Sequence, residues 1–251
     1  MLDKFLLNVV NTGDRRAVNK DISPKATLTN FTILPTTNPQ KLVVIFPYWS
    51  SSANANMSKL SRKLQNTETS VLLPELHENY MQADIDFVLK AYDYLSRQIA
   101  RQIGDLFSGS GIKLVHLIGF SMGNVLLCNT VRHLSEIPSL AITQILGASE
   151  IAGPLWEGSR TSHLREAFID QGISLAQLKK AWQSIDPINI ELPSNIKKCE
   201  LVTSKHDSVI PTEYQEKYLS HLQANQENFR YKRLSTNHVL SIARYLYLHH
   251  F

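Results

Sequence analysis

The chain has 251 residues, 43% hydrophobic and 19% charged, the balance of a globular protein with a substantial core, and long enough for one large α/β domain or two small ones. The formal net charge is +4, but the basic residues are dispersed. The nearest cluster, "NIKK" at 195–198 with "YKR" at 231–233, reads as a solvated face, so no nucleic-acid partner is expected.

Only two cysteines occur, Cys128 and Cys199, too few for a zinc-type ligand set, and no metal is expected. Cys128 falls on a predicted helix and reads as a buried free thiol. The opening "MLDKFLLNVV" has too short an apolar run for a signal peptide and no small-residue cleavage site. No run of about 18 apolar residues occurs, so no transmembrane segment is expected. The default expectation is a soluble, cytoplasmic protein.

Strands and helices alternate along the chain, which predicts a mostly parallel central sheet with helices on both faces. The runs "NFTIL" (30–34) and "KLVVIF" (41–46) are β-rich and joined by the turn-rich "PTTNPQ". A helical pattern covers roughly 53–66, and "SVLLPEL" (70–76) is a further strand. In 82–107, Ile85, Val88, Leu89, Tyr92, Leu95, Ile99 and Ile103 recur at helical spacing, and "SGSG" ends the run. "KLVHLIG" (113–119) is continuously apolar, as for a strand buried on both faces. A helix is predicted from Met122 to about Leu134, and strands at 140–148 and 199–204. Pro211 begins a helix reaching 223, where its missing N–H costs little. A strand at 230–234 and a helix at 239–248 complete the pattern. The segment 151–195 interrupts it with at least two helical pieces. The second, 174–185, opens with a capping box of Ser174 and Gln177 and carries Leu175, Leu178, Trp182 and Ile185 on its apolar side.

The sequence "HLIGFSMGNVLL" (116–127) sets Ser121 between Gly119 and Gly123, after the buried strand and before a helix. Chance alone gives Gly-x-Ser-x-Gly about 0.1 times in a chain of this length, and a tight strand-to-helix turn needs small residues for packing in any case. The chemical reading is that a nucleophilic serine must stand at the tip of such a turn, where flanking glycines relieve crowding. The N–H of Met122, at the positive end of the following helix, can then stabilise an oxyanion. A serine needs a histidine base, and that histidine needs a carboxylate to fix its tautomer. Asp207 in "TSKHDSVIP" and His238 in "LSTNHVLSI" each follow a predicted strand, at the sheet edge where sites form in open α/β folds. The order is Ser121, Asp207, His238.

These motifs, "GFSMG", "HDSVIP" and the late "NHV", resemble those of the α/β-hydrolase family in kind and order, from about residue 28 to the C-terminus. The resemblance implies a single domain over 1–251, a helical cap or lid at 151–195, and a catalytic triad of Ser121, Asp207 and His238. It also implies an oxyanion hole. The family's frequent His-Gly pair is replaced here by Pro47 and Tyr48 in "IFPYWSSS", which makes the Trp49 N–H the second donor beside Met122, with Tyr48 the fallback. Pro47 has no N–H to give.

Competing residues are weighed on the same grounds. His206 adjoins Asp207, and neighbours on an extended segment point oppositely. His116 reads as a packed core histidine, His249 and His250 carry no signal at the chain end, and Asp186 reads as a turn residue. Glu150 is the runner-up acid. The reading that results is a serine hydrolase of carboxylic esters working through an acyl-enzyme, with no cofactor and a small-molecule ester as partner. Leu155, Trp156, Leu164, Phe168, Leu178 and Trp182 in the insert favour a hydrophobic acyl or alcohol group. Tyr48, Phe120, Trp156 and Trp182 are candidate substrate contacts. A thioesterase, a non-hydrolytic triad enzyme, a peptidase and an inactive binding protein of the fold stay open as alternatives.

Overall fold

The computed structural model describes residues 22–50 and 52–248. The expectations placed on 1–10, His249 and His250 lie outside the described residues. Among the described residues seven strands form one sheet: β1 (Leu28–Leu34), β2 (Lys41–Phe46), β3 (Thr69–Leu76), β4 (Leu114–Phe120), β5 (Leu140–Ile145), β6 (Ile196–His206) and β7 (Phe229–Asn237). Their order is β1-β3-β2-β4-β5-β6-β7. β1 runs antiparallel to β3 at one edge, and every other pairing is parallel. The central strands β2, β4 and β5 are buried almost throughout because helices cover both faces, which is why their sequences run apolar without alternation.

On one face lie α1 (Ala53–Leu64) and α8 (His238–Leu248), packed through Met57, Leu60, Ile242 and Tyr245 against Val43, Ile45 and Ile118. On the other lie α2 (Ile85–Phe107), α3 (Gly123–Val131) and α7 (Thr212–Asn225), against Leu42, Val44, Leu117 and Leu201. Asp84 caps α2 by accepting from the Phe87 N–H, and the stripe Val88, Tyr92, Leu95, Ile99 and Ile103 is fully buried.

The insert holds three helices, α4 (Ala152–Glu157), α5 (Ser162–Asp170) and α6 (Leu175–Trp182), and a 3₁₀ turn at Pro187–Asn189. The capping box of Ser174 and Gln177 is formed. Trp182 is buried edge-on against Phe168, with ring centroids 5.7 Å apart. Asp186 closes the base of the insert, accepting from the Ile151 N–H at 2.9 Å.

Several boundaries differ from the sequence reading, each for a local reason. β5 stops at Ile145 because Leu146 takes a left-handed backbone, φ 58°. α3 ends at Val131 and loosens into a turn through Leu134. β6 and β7 are longer than their apolar cores, since both continue as hydrogen-bonded neighbours to His206 and Asn237. Pro211 is the residue before α7, outside its first turn.

Candidate active site

β4 delivers Ser121 into a left-handed backbone, φ 49°, which a serine occupies only where the surrounding structure holds it. Two close approaches enforce the turn. A Cβ on Gly123 would lie 2.4 Å from the Phe46 carbonyl oxygen and 2.6 Å from that of Pro47, so α3 abuts the end of β2. A Cβ on Gly119 would lie 2.4 Å from Asn124 Oδ1. The glycines thus serve packing, and the packing exposes the serine turn at the C-terminal edge of the sheet. The Ser121 N–H donates to the Ile145 carbonyl at 2.8 Å, fastening the turn to β5.

Two strands away, Asp207 leaves the end of β6 with a fully buried side chain. Its Oδ1 accepts from the Val209 and Ile210 N–H groups, both at 2.8 Å. His238, the first residue of α8, places Nδ1 3.0 Å from Asp207 Oδ1 and 2.8 Å from Oδ2. Only a protonated Nδ1 can donate to that carboxylate, so in the neutral imidazole Nε2 carries the free lone pair. The structure therefore brings Asp207 and His238 together. Among the described residues no hydrogen bond joins Ser121 to His238, a link that often tightens only when substrate is bound.

The loop after β2 contributes Tyr48 and Trp49. The Tyr48 phenol oxygen accepts from Asn56 Nδ2 at 2.7 Å. The Trp49 indole N–H donates to the Glu78 carbonyl at 2.6 Å, which fixes the ring. The backbone N–H groups of Tyr48, Trp49 and Met122 donate to no described protein atom. Unpaired donors at the mouth of a site are what an oxyanion hole requires.

The insert reaches three loops at this same edge of the sheet. His163 of α5 sits over Trp49, ring centroids 5.8 Å apart. Ser159 donates through both N–H and Oγ to the Ser208 carbonyl, beside Asp207, at 3.2 and 2.9 Å. Gln171 Nε2 donates to the Ala83 carbonyl in the loop leading to α2, at 2.8 Å. His163 went unnoticed in the sequence because a lone histidine on a short helix carries no pattern. Asn124 left a fainter trace, as a polar residue opening the otherwise apolar "VLLC".

The remaining candidates have other placements. Trp156 is half-buried against the core, and its carbonyl accepts from Arg165. Trp182 and Phe120 are fully buried, Phe120 on the α1/α8 face of the sheet, away from the insert. Glu150 binds Lys179 at 2.8 Å and accepts from the Gly153 N–H at 3.2 Å, acting as a strut within the insert. His206 is exposed, on the residue preceding the buried acid. His116 is buried against Thr143 Oγ1 at 2.9 Å. Burial, then the nearby Lys41 and Lys198, push its pKa down to about 3. Cys128 and Cys199 are buried free thiols whose pKa values burial pushes up to about 12. Among the described residues no cluster of three potential metal ligands occurs, and no helix is long and apolar enough to cross a membrane.

No family model and no curated protein matches the sequence. Solved structures do match in shape. The chain is similar to a puromycin-hydrolyzing peptidase of Mycobacterium tuberculosis, at 13% identity and a TM-score of 0.54, over 83% of this chain and 33% of that one. This chain thus spans about a third of the peptidase's length. It is similar also to esterase 2 of the planctomycete Thermogutta terrifontis with propionate bound, at 15% identity and a TM-score of 0.53, over 87% and 86% of the two chains. An α/β hydrolase from Penicillium sp. aligns at 14% identity and a TM-score of 0.52, over 82% and 85%. At such identities the likeness carries the fold and not the activity. With its single antiparallel edge strand, its otherwise parallel sheet and helices on both faces, the chain is an α/β-hydrolase-fold protein.

Proposed function

We propose that the chain is a serine hydrolase that cleaves carboxylic esters of a hydrophobic acyl or alcohol group through an acyl-enzyme. The observation that carries this reading is the buried Asp207–His238 hydrogen bond at one end of the same sheet edge that holds Ser121 in its strained turn. Hydrolysis is also the activity named for the Mycobacterium peptidase, and ester cleavage that named for the Thermogutta esterase.

In this mechanism Ser121 Oγ attacks the ester carbonyl carbon while its proton passes to His238 Nε2. The carbonyl π pair moves onto oxygen, which the N–H groups of Met122 and Trp49, or of Tyr48 in its place, receive. Asp207 holds Nδ1–H and stabilises the imidazolium. Collapse breaks the bond to the alcohol oxygen, which leaves with the proton from Nε2. Water then gives a proton to Nε2, adds to the acyl carbon, and expels Ser121, which recovers the proton. The insert, resting on the loops of Trp49, Ala83 and Ser208, acts as a cap over the site.

The test compares p-nitrophenyl esters of increasing chain length with the matching thioesters and anilides, on wild type and Ser121→Ala. Ester turnover should saturate, favour apolar acyl chains, and fall by at least about 1,000-fold in the variant. Preference for the thioester would move the substrate class while leaving the machinery. Folded wild type without turnover on any of the three would favour an inactive binding protein of the fold.

A further inference from the structure

We propose that Asn124 is a positioning residue for the nucleophile, seating the Ser121 turn on the end of β5; this rests on the reading of Ser121 as the nucleophile. Asn124 is fully buried in the first turn of α3. Its Nδ2 donates at 2.8 Å to the Ile145 carbonyl. That same carbonyl receives the Ser121 N–H at 2.8 Å, so one oxygen ties both limbs of the turn, the serine itself and the helix after it. The Asn124 N–H in turn donates to the Ser121 carbonyl at 2.9 Å, which closes a ring of bonds around the nucleophile.

The other end of the amide has a separate role. Asn124 Oδ1 is buried with no hydrogen-bond donor, a state that costs free energy unless another contact offsets it. It lies 2.4 Å from where a Cβ of Gly119 would stand, so a Gly119 Cα–H points at it. A weak Cα–H···O contact fits that geometry. Gly119 is thereby required by Asn124 as much as by the strand-to-helix turn. The side chain spans the turn from the residue two before the serine to the neighbouring strand, so its removal lets the serine shift relative to any oxyanion donor. A displacement of about 1 Å at a reacting atom costs about 100-fold in rate.

The experiment measures the second-order rate at which a fluorophosphonate labels Ser121, located by peptide mass, in wild type, Asn124→Ala and Asn124→Asp, with melting midpoints recorded for each. In Asn124→Ala the rate should fall by about 10- to 100-fold with the fold retained. Asn124→Asp keeps the shape, and a protonated carboxyl can still donate to the Ile145 carbonyl while an ionised one cannot. The ratio of its labelling rate to that of wild type should therefore fall as pH rises through the titration of the buried aspartate, at pH values where the melting midpoint shows the variant still folded, which separates loss of positioning from loss of fold. Should Asn124→Ala fail to fold, this ratio decides alone. Wild-type labelling at Ser121 with unchanged rates in Asn124→Ala, or a ratio independent of pH in Asn124→Asp, overturns the role of Asn124 only. Wild type that is folded and unlabelled overturns the nucleophile reading, and this proposal with it.

Discussion

Asp207 accepts from two directions at once: the Val209 and Ile210 N–H groups hold one oxygen, and His238 Nδ1 lies within 3.0 Å of both. An asparagine in its place would keep the loop bonds through its amide oxygen but would present an N–H to His238. The imidazole would then carry its proton on Nε2, where it cannot serve as a base. Asp207→Asn should thus lower kcat by about 1,000- to 10,000-fold with little change in melting midpoint, and wild-type turnover would contradict the assignment of the acid. At this scale the sequence was informative where chemistry dictates residue type and place. Asp207 and His238 each come directly after a strand, at adjacent ends of β6 and β7, which is where they meet. It was silent on His163 and gave only the polar break before "VLLC" for Asn124, since their placements depend on distances between segments that no local pattern encodes. Phe120 shows a further limit: it adjoins the serine in sequence, yet strand alternation turns its ring to the opposite face.

The elements were legible in proportion to how strongly burial constrains them. β2, β4 and α2 appear in the sequence because two-sided burial demands an unbroken apolar run and one-sided burial a helical stripe. The end of β5 was not legible, since nothing in "LAITQILGA" announces that Leu146 leaves the strand with positive φ. The extension of β6 to His206 was hidden for another reason. Its last residues are polar and exposed, and their strand geometry comes from pairing with β7. In the insert the capping box marked α6, whereas α4 is short and is held by packing. A Cβ on Gly153 would lie 2.2 Å from the Tyr214 ring, so position 153 must be glycine for α4 to approach α7 as closely as it does. Such contacts between distant segments are what decide where the insert rests, and they lie beyond any reading of one segment at a time.

For the molecule as a whole, two buried titratable groups give stability opposite slopes with pH. Burial raises the Asp186 pKa from 3.8 to about 7, so between those values the folded chain keeps a proton that the unfolded chain releases. Stability therefore falls as pH rises through that window. His116 works the other way: with its pKa lowered from 6.5 to about 3, the unfolded chain takes up a proton that the folded chain refuses, and stability falls as pH drops below 6.5. Asp186→Asn keeps an acceptor for the Ile151 N–H at the base of the insert and removes the first slope. Denaturant titrations between pH 4 and 7 should show the variant gaining on wild type as pH rises, whereas parallel curves would place Asp186 in an unperturbed state.

Whether the fold activates Ser121 is read from intact mass after treatment with a fluorophosphonate, wild type beside Ser121→Ala. An activated Ser121 gives one stoichiometric adduct on wild type and none on the variant. Folded wild type that stays unmodified, or an adduct that persists in Ser121→Ala, would contradict that activation.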